Sequence, residues 1–429
     1  MISSLEIKQL FNRFDYKIEL QKNTITILTG PNGFGKSTIL KIISALSSSN
    51  IMFFYKLVFK KITATFDDGS TFSIAQKRTD GRTESLIIDD KELPIRLFLN
   101  NNLVHAPWLH RISQTEWIDF RTHERFSREE MIFHIFDEAE NIDNFTEYFN
   151  VSQAKAKQYS AIISKLKVIA EKCGNVRLIS EQRLIRKEVD EDNDEQIVDV
   201  INELPVKMKS RISNLTADYS KAANSLDSTY PQRLLSTKQG LSSEKEFLEK
   251  MADANAKFTK LSKYDLVDLP FIRSTQYEAE FSKALKVYFE DFEKKYTVFS
   301  DFIDRLDLYT DIINSHLSFK SIRVTRDSGL IVVDDNDPSH ILRLEQLSSG
   351  EKQEIVLFYE LIFETEKQLL LLIDEPEISL HIMWQKLFME DLDRVVSLGN
   401  LKVVIATHAP QIINNRWDLQ IDLGELYGC

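Results

Sequence analysis

Two groups of residues in this chain have the types and spacing for phosphate chemistry. The first is Gly30-Pro31-Asn32-Gly33-Phe34-Gly35-Lys36-Ser37-Thr38. A glycine-rich turn lets backbone N–H groups point inward around phosphate oxygens, and a lysine at its end reaches the β- and γ-phosphates. The Ser37 hydroxyl, at the start of a helical pattern, would hold Mg²⁺ at an N-terminus that itself favours anions. Asn32, Gly33, Gly35, Lys36, Ser37 and Thr38 are therefore the candidate nucleotide-binding residues. The second group is Asp374-Glu375, which ends the apolar run 369–373. Asp374 would join Ser37 in the Mg²⁺ shell, and Glu375 would orient and deprotonate the attacking water. Alone, a strand ending in Asp-Glu is a weak signal. Downstream of a phosphate loop it points to hydrolysis of ATP with Mg²⁺ as cofactor.

Two further stretches fall in an order that suits the same chemistry. Leu347-Ser348-Ser349-Gly350-Glu351-Lys352-Gln353 precedes a helical pattern over 354–364. Ser348, Gly350 and the helix start would aim donors at a second anion, although a serine N-cap explains the same residues. Thr407-His408-Ala409-Pro410 follows a buried-strand pattern over 401–406. By itself His408 would be an ordinary core or surface histidine.

The elements that must position these residues are legible in outline. Residues 5–10, 16–20 and 24–28 read as strands, the last feeding the phosphate loop, and 37–46 reads as a helix packed on a sheet. Residues 62–66 and 71–75 flank Asp67-Asp68-Gly69-Ser70, a hairpin signal, and 83–88 adds a strand to this antiparallel layer. Helical patterns cover 126–149 and 153–171, and 175–185 reads as a strand entering a polar turn. The acidic run Glu188, Asp190, Glu191, Asp192, Asp194 and Glu195 reads as a solvated loop.

Beyond that run the apolar spacing becomes heptad-like. Met208, Ile212, Leu215, Tyr219, Ala222 and Leu226 alternate steps of four and three. Phe247, Met251, Ala254, Phe258 and Leu261 repeat the rhythm after Ser243, an N-cap with Glu246 three residues on. Phe292, Tyr296, Phe299, Ile303 and Leu306 repeat it again. The first and third helices are expected to zip antiparallel, with the second near the tip, in an arm whose helices of roughly 40 residues would be about 60 Å long. A bundle folded back on the core satisfies the same seam. Residues 322–325 and 330–333, joined through Asp327-Ser328-Gly329, return the chain to β-structure.

The net charge of −12 argues against broad coating of DNA, but not against a local basic groove. The two cysteines, Cys173 and Cys429, exclude a disulfide framework. No apolar run approaches the roughly 18 residues that span a membrane, and the N-terminus enters a strand pattern directly. A cytoplasmic protein without a membrane partner is expected.

Taken together, these motifs resemble those of ABC-type ATPases of the SMC-like and OLD-like kind. Leu347-Ser348-Ser349-Gly350-Glu351 resembles their signature, Glu377-Ile378-Ser379-Leu380-His381 their D-loop, and Thr407-His408-Ala409-Pro410 their switch histidine. The resemblance implies an α/β fold: an ABC-type head of mixed β-sheet with flanking helices and an antiparallel β-layer, carrying an inserted helical or short coiled-coil arm. Its expected divisions are an N-terminal lobe over 1–185, the arm over 186–318 and a C-terminal lobe over 319–429. It implies that Ser348, Ser349 and Gly350 of one copy cap the γ-phosphate bound by another, so that ATP joins two heads. Glu375, His408 and Lys36 would be catalytic. Gln182, in Ser180-Glu181-Gln182-Arg183-Leu184, resembles a Q-loop glutamine that would join nucleotide and Mg²⁺, with Gln114 competing on spacing. The stretch 226–234 resembles a turn of the arm in the same group.

Three functions compete. The motifs resemble standalone ATPase subunits of bacterial anti-phage operons, of the PARIS kind ahead of the Septu kind. That reading implies a higher homo-oligomer, a separately encoded effector, expected to be a nuclease, and a phage protein or DNA as trigger. A chromosome-maintenance or DNA-repair ATPase would act on DNA directly. A transporter subunit would lack the long helical stretch between Gln182 and Leu347.

Overall fold

The computed structural model describes residues 1–20, 24–96, 108–113, 116–127, 130–132, 134–135, 146, 148, 151–189, 195–267, 276–365, 369–378, 380–399 and 401–428. Its central sheet has five parallel strands in the order Val176–Ile179, Leu370–Asp374, Lys402–Ala406, Ile25–Thr29 and Gln420–Asp422. Ile25–Thr29 and Leu370–Asp374 are buried at every position, as near-continuous apolar runs covered on both faces require. Because the strands are parallel, the loops that leave their C-terminal ends share one edge. That edge receives Gly30, Glu375, Thr407 and the loop beginning at Ser180.

A six-stranded antiparallel layer lies beside it, in the order Phe14–Glu19, Ile2–Leu10, Lys61–Phe66, Thr71–Thr79, Arg82–Ile88 and Lys91–Leu93. Phe14–Glu19 alternates buried and exposed residues, the mark of a sheet with one wet face. The expected hairpin closes at Gly69, whose φ of 78° suits glycine. Between the layers runs the helix Lys36–Ser47, with Ile39, Leu40, Ile42, Ile43 and Leu46 buried in the core shared by both sheets.

The other face of the central sheet is covered by helices. Ser349–Phe363 buries Ile355, Val356, Leu357 and Phe358 there, together with the roots of the arm helices. The arm itself leaves on the helix Leu204–Ser236 and returns on Ser282–His316. Their contacts step in opposite directions: Tyr219 meets Phe299, Asp227 meets Lys295 and Arg233 meets Asp291. The two helices are therefore antiparallel, and at 1.5 Å per residue each is about 50 Å long.

The arm departs from expectation in two ways. The helix Glu244–Lys263 does not stay at the tip but runs parallel to the returning helix. Phe247 packs on Phe289, Phe258 stacks on Phe292, and Tyr264 reaches Thr310 near the base. The arm is thus a three-helix bundle with a small distal core around Phe247, Phe258, Phe289 and Phe292. A shared heptad seam does not encode direction, so spacing alone cannot orient this helix. Second, residues 226–234 are not a turn: the outgoing helix continues through Pro231. Proline removes one backbone donor there, and Arg233 donates back to the Leu226 carbonyl at 2.6 Å.

Elsewhere, the acidic run is only partly a loop. Its ends lie in a hairpin of Ile185–Val189 with Glu195–Asp199, and residues 190–194 are outside the described residues. Phe126 belongs to the strand Arg125–Ser127 of a small three-stranded sheet rather than to a helix. The helix Gln153–Cys173 forms close to its expected position. No helix among the described residues is long and apolar enough to cross a membrane.

Candidate functional site

The phosphate loop leaves Thr29 and turns on Gly30, Gly33 and Gly35, with φ values of 139°, 83° and 90°. A Cβ at Gly35 would stand 3.0 Å from the Leu10 side chain, so both conformation and space demand glycine. Asn32 and Gly33 face solvent, and Thr38 lies within the first turn of the following helix. Phe34 anchors the loop: its carbonyl accepts from Tyr16 Oη at 2.8 Å, and its ring packs against Phe14 and Tyr427.

Lys36 is buried, and its ammonium donates to the Gly30 carbonyl at 2.9 Å. Burial lowers its pKa, and the surrounding Glu375, Glu377, Asp374 and Asp422 oppose that shift. The same ammonium lies 2.7 Å from His408 Nε2, which is 3.2 Å from Glu375 Oε1. His408 therefore sits between the lysine and the carboxylate. With Nε2 bare, Lys36 donates to it; with Nε2 protonated, the ring donates to Glu375.

Ser37 Oγ donates to Asp374 Oδ1 at 2.8 Å. These are two hard oxygen donors side by side at the end of a strand and the start of a helix, the kind of set Mg²⁺ takes when phosphate oxygens and water complete its shell. Among the described residues no cluster of three His, Cys, Asp or Glu side chains could cage a metal unaided. Burial raises the pKa of Asp374, partly offset by the Ser37 hydrogen bond. Burial raises that of Glu375 as well, which suits a base, while His408 pulls it down.

Glu375 has the left-handed φ of 45°, a conformation uncommon outside glycine. Its N–H donates to the Ala406 carbonyl at 2.8 Å, and its own carbonyl accepts from Ile378 N and from Arg183 Nη2, both at 3.2 Å. Two residues beyond, Glu377 Oε1 accepts from Thr407 Oγ1 at 2.8 Å, His408 N at 2.7 Å and Ala409 N at 3.2 Å. One carboxylate oxygen thus fixes the loop that carries His408.

The signature stretch stands apart. Ser348 caps the helix Ser349–Phe363 and forms a capping box with Glu351, while Ser348 and Ser349 face solvent. Gln182 is also exposed; the bond described for it is from Ser180 Oγ to its backbone carbonyl. The structure brings Lys36, Ser37, Asp374, Glu375 and His408 together, and it does not bring the Gln182 side chain to them. Gln114 and Ser379 lie outside the described residues.

Sequence reading missed three participants. Arg183, beside Gln182, is the residue of that stretch that goes inward. Glu377 was noted only as part of a loop motif. Asp422 accepts from Thr29 Oγ1 at 3.1 Å, at the root of the phosphate loop. Proximity to a motif was the available signal for the first two; Asp422 had none.

Residues 1–413 match the family model described as AAA ATPase domain. No curated protein matches the chain. Among solved structures, one similar to it is the Smc head domain with an extended coiled coil bound to the C-terminal domain of ScpA, derived from Pyrococcus furiosus. Identity is 13%, the TM-score is 0.39, and 96% of this chain and 91% of that one are covered. Another is the SmcHead bound to the C-winged helix domain of ScpA, at 11% identity and a TM-score of 0.36, with the same coverage.

Proposed function

The chain belongs to the AAA ATPase domain family, and on that premise we propose that it hydrolyses Mg·ATP and uses the nucleotide to join two copies of its head. The observation that carries this reading is the meeting, at one sheet edge, of a buried lysine, the Ser37–Asp374 pair and a glutamate held against His408. Lys36 and the backbone N–H groups of the loop would bind the phosphates. Ser37 and Asp374 would hold Mg²⁺, which when bound neutralises charge on the phosphoryl oxygens. Glu375 takes a proton from the attacking water, and His408, in contact with both that carboxylate and Lys36, keeps the carboxylate in place. Exposure of Ser348 and Ser349 at a capped helix start supports their use on a phosphate bound by another copy.

In this reading the joined heads hold and release a separately encoded effector, a nuclease, in bacterial anti-phage defence. That part rests on the resemblance of the motifs to standalone defence ATPases. The test is phosphate release by the purified protein, with light scattering to report assembly. Glu375→Gln should block turnover and accumulate an ATP-bound assembly, and Lys36→Ala should lose nucleotide binding. A Glu375→Gln protein that turns over ATP at the normal rate would overturn the base. Failure to co-purify with any product of a neighbouring gene would count against the effector, and turnover stimulated by DNA would favour direct action on DNA instead.

A further inference from the structure

Arg183 is 4% exposed and lies in the loop between the strand Val176–Ile179 and the hairpin that leads into the outgoing arm helix. A guanidinium offers five N–H donors, and a buried one used for structure alone is normally saturated. Here Nη2 donates to the Glu375 carbonyl at 3.2 Å, whereas Nε and Nη1 are buried with no partner among the described residues. Leaving such donors unmade is costly. Burial lowers the pKa of Arg183 to about 10, and Glu360, Glu377, Asp374 and Glu181 oppose that shift, so the group stays cationic at neutral pH.

The residue it grips is the one that most needs holding. A non-glycine residue at φ 45° is of higher energy than an extended or helical one and persists only where its neighbours determine it. Among the described residues three bonds hold the Glu375 backbone: to Ala406, from Ile378 and from Arg183. The first two lie within the central sheet edge and its own turn. Of these three, the bond from Arg183 is the one that reaches in from the root of the arm. Glu377 Oε2, in the same turn, is also buried without a hydrogen-bond partner among the described residues. Charge and counter-charge around Glu375 are therefore both left with capacity, which fits a turn that is adjusted rather than merely packed.

We infer that Arg183 is a positioning residue for Glu375: it holds the glutamate backbone left-handed so that the carboxylate meets His408, and it ties that geometry to the arm. The inference rests on the proposed ATPase chemistry and adds to it a link between arm and base. Misplacing a reacting group by a fraction of its own size costs up to about 100-fold in rate. Arg183→Met should therefore lower kcat for Mg·ATP about 10- to 100-fold while KM stays within about twofold, since the phosphate loop is untouched. Arg183→Lys, which restores one donor, should recover part of kcat.

Steady-state phosphate release and binding of a fluorescent ATP analogue, on the full chain, test this. The residual turnover of Glu375→Gln, followed over hours, should not fall further when Arg183→Met is added, because the positioned group is already gone. Should Arg183→Met fail to fold, Arg183→Lys carries the same test, with lowered kcat, unchanged KM and a retained thermal transition expected. The proposal is overturned by kcat within about twofold of wild type in these variants, by a rise in KM alone, or by an equal loss in the Glu375→Gln background. A wild-type protein that binds Mg·ATP but never hydrolyses it overturns the ATPase reading and this role with it. An active wild type with unaffected Arg183 variants overturns this role alone.

Discussion

Ser37 Oγ and Asp374 Oδ1 meet at 2.8 Å although 337 positions separate them in sequence. The contact joins the start of the phosphate-loop helix to the end of a central strand, and it sets two requirements against each other. Burial raises the Asp374 pKa, so its folded value lies above its unfolded one. A carboxyl shifted that way weakens the fold as pH rises through its folded pKa, when charge must be carried in a poor solvent. Asn keeps an oxygen for Ser37 without the charge. Asp374→Asn is expected to melt higher than wild type at neutral pH and to converge on it as pH falls below the ordinary carboxylate range, where both side chains are neutral. Its Mg²⁺-dependent turnover should fall at least about 100-fold. Calorimetry across pH beside an activity assay checks both halves.

His408 lies between Lys36 and Glu375 and lowers the pKa of the glutamate, which burial otherwise raises. The acidic limb of the kcat–pH profile should therefore fall above the ordinary glutamate range. Removing the ring should move that limb further toward neutral pH, because the lowering influence is lost. His408→Ala is expected to reduce kcat about 10- to 100-fold with nucleotide affinity kept. A limb that moves the opposite way would show that His408 does not act on Glu375.

How much of this was legible in the sequence depended on range. Lys36, Ser37 and the glycines are contiguous, so turn, cation and helix start were readable together. The Asp374 strand was readable from its leucines, whereas its place in the sheet, separated from Ile25–Thr29 by Lys402–Ala406, is a long-range pairing that no local pattern encodes. The seam residues Tyr219 and Phe299 marked antiparallel helices correctly, but the same rhythm said nothing of the direction of Glu244–Lys263. Gln182 and Arg183 are adjacent and polar, and only the fold decides that the arginine turns inward. A proline at 231 signals a break locally; tertiary support from Asp291 through Arg233 lets the helix continue.

His316, in the last turn of the returning arm helix, is buried between two carboxylates from different helices. Its Nδ1 meets Glu354 of the helix that starts at the signature, and its Nε2 is 3.2 Å from Asp391 Oδ2. Burial lowers its pKa, but the bonds to Asp391 and Glu354 outweigh that and raise it to about 9. The folded value lies above the unfolded one, so the contribution to stability is complete below about pH 6.5 and is lost as pH rises through about 9. It is on the order of 3 kcal/mol. Arg394, 3.5 Å from Asp391 Oδ1, keeps its charge through this window and does not confuse the reading. Wild type should lose thermal stability between pH 6.5 and 9.5, whereas His316→Gln should start lower and vary little. Equal slopes for the two proteins would remove His316 from the account.

Glu377 offers the sharpest separation of position from chemistry. Its Oε1 gathers Thr407 Oγ1, His408 N and Ala409 N, so three donors of the switch loop depend on one oxygen that touches no reacting group. Charged acceptors of this kind are the stronger hydrogen-bond partners, at about 1.5–3 kcal/mol each. Glu377→Ala frees the loop and should displace His408 from Lys36 and Glu375. Glu377→Gln keeps an oxygen for the same donors and should displace it far less. Turnover is therefore expected to fall about tenfold or more in the alanine variant and to stay near wild type in the glutamine variant, with Mg·ATP affinity preserved in both. Combining Glu377→Ala with His408→Ala should be no worse than His408→Ala alone, since the loop then carries nothing left to misplace. Additive losses in that pair would mean that Glu377 acts on the reaction by a route other than the histidine, most directly through its charge on Lys36.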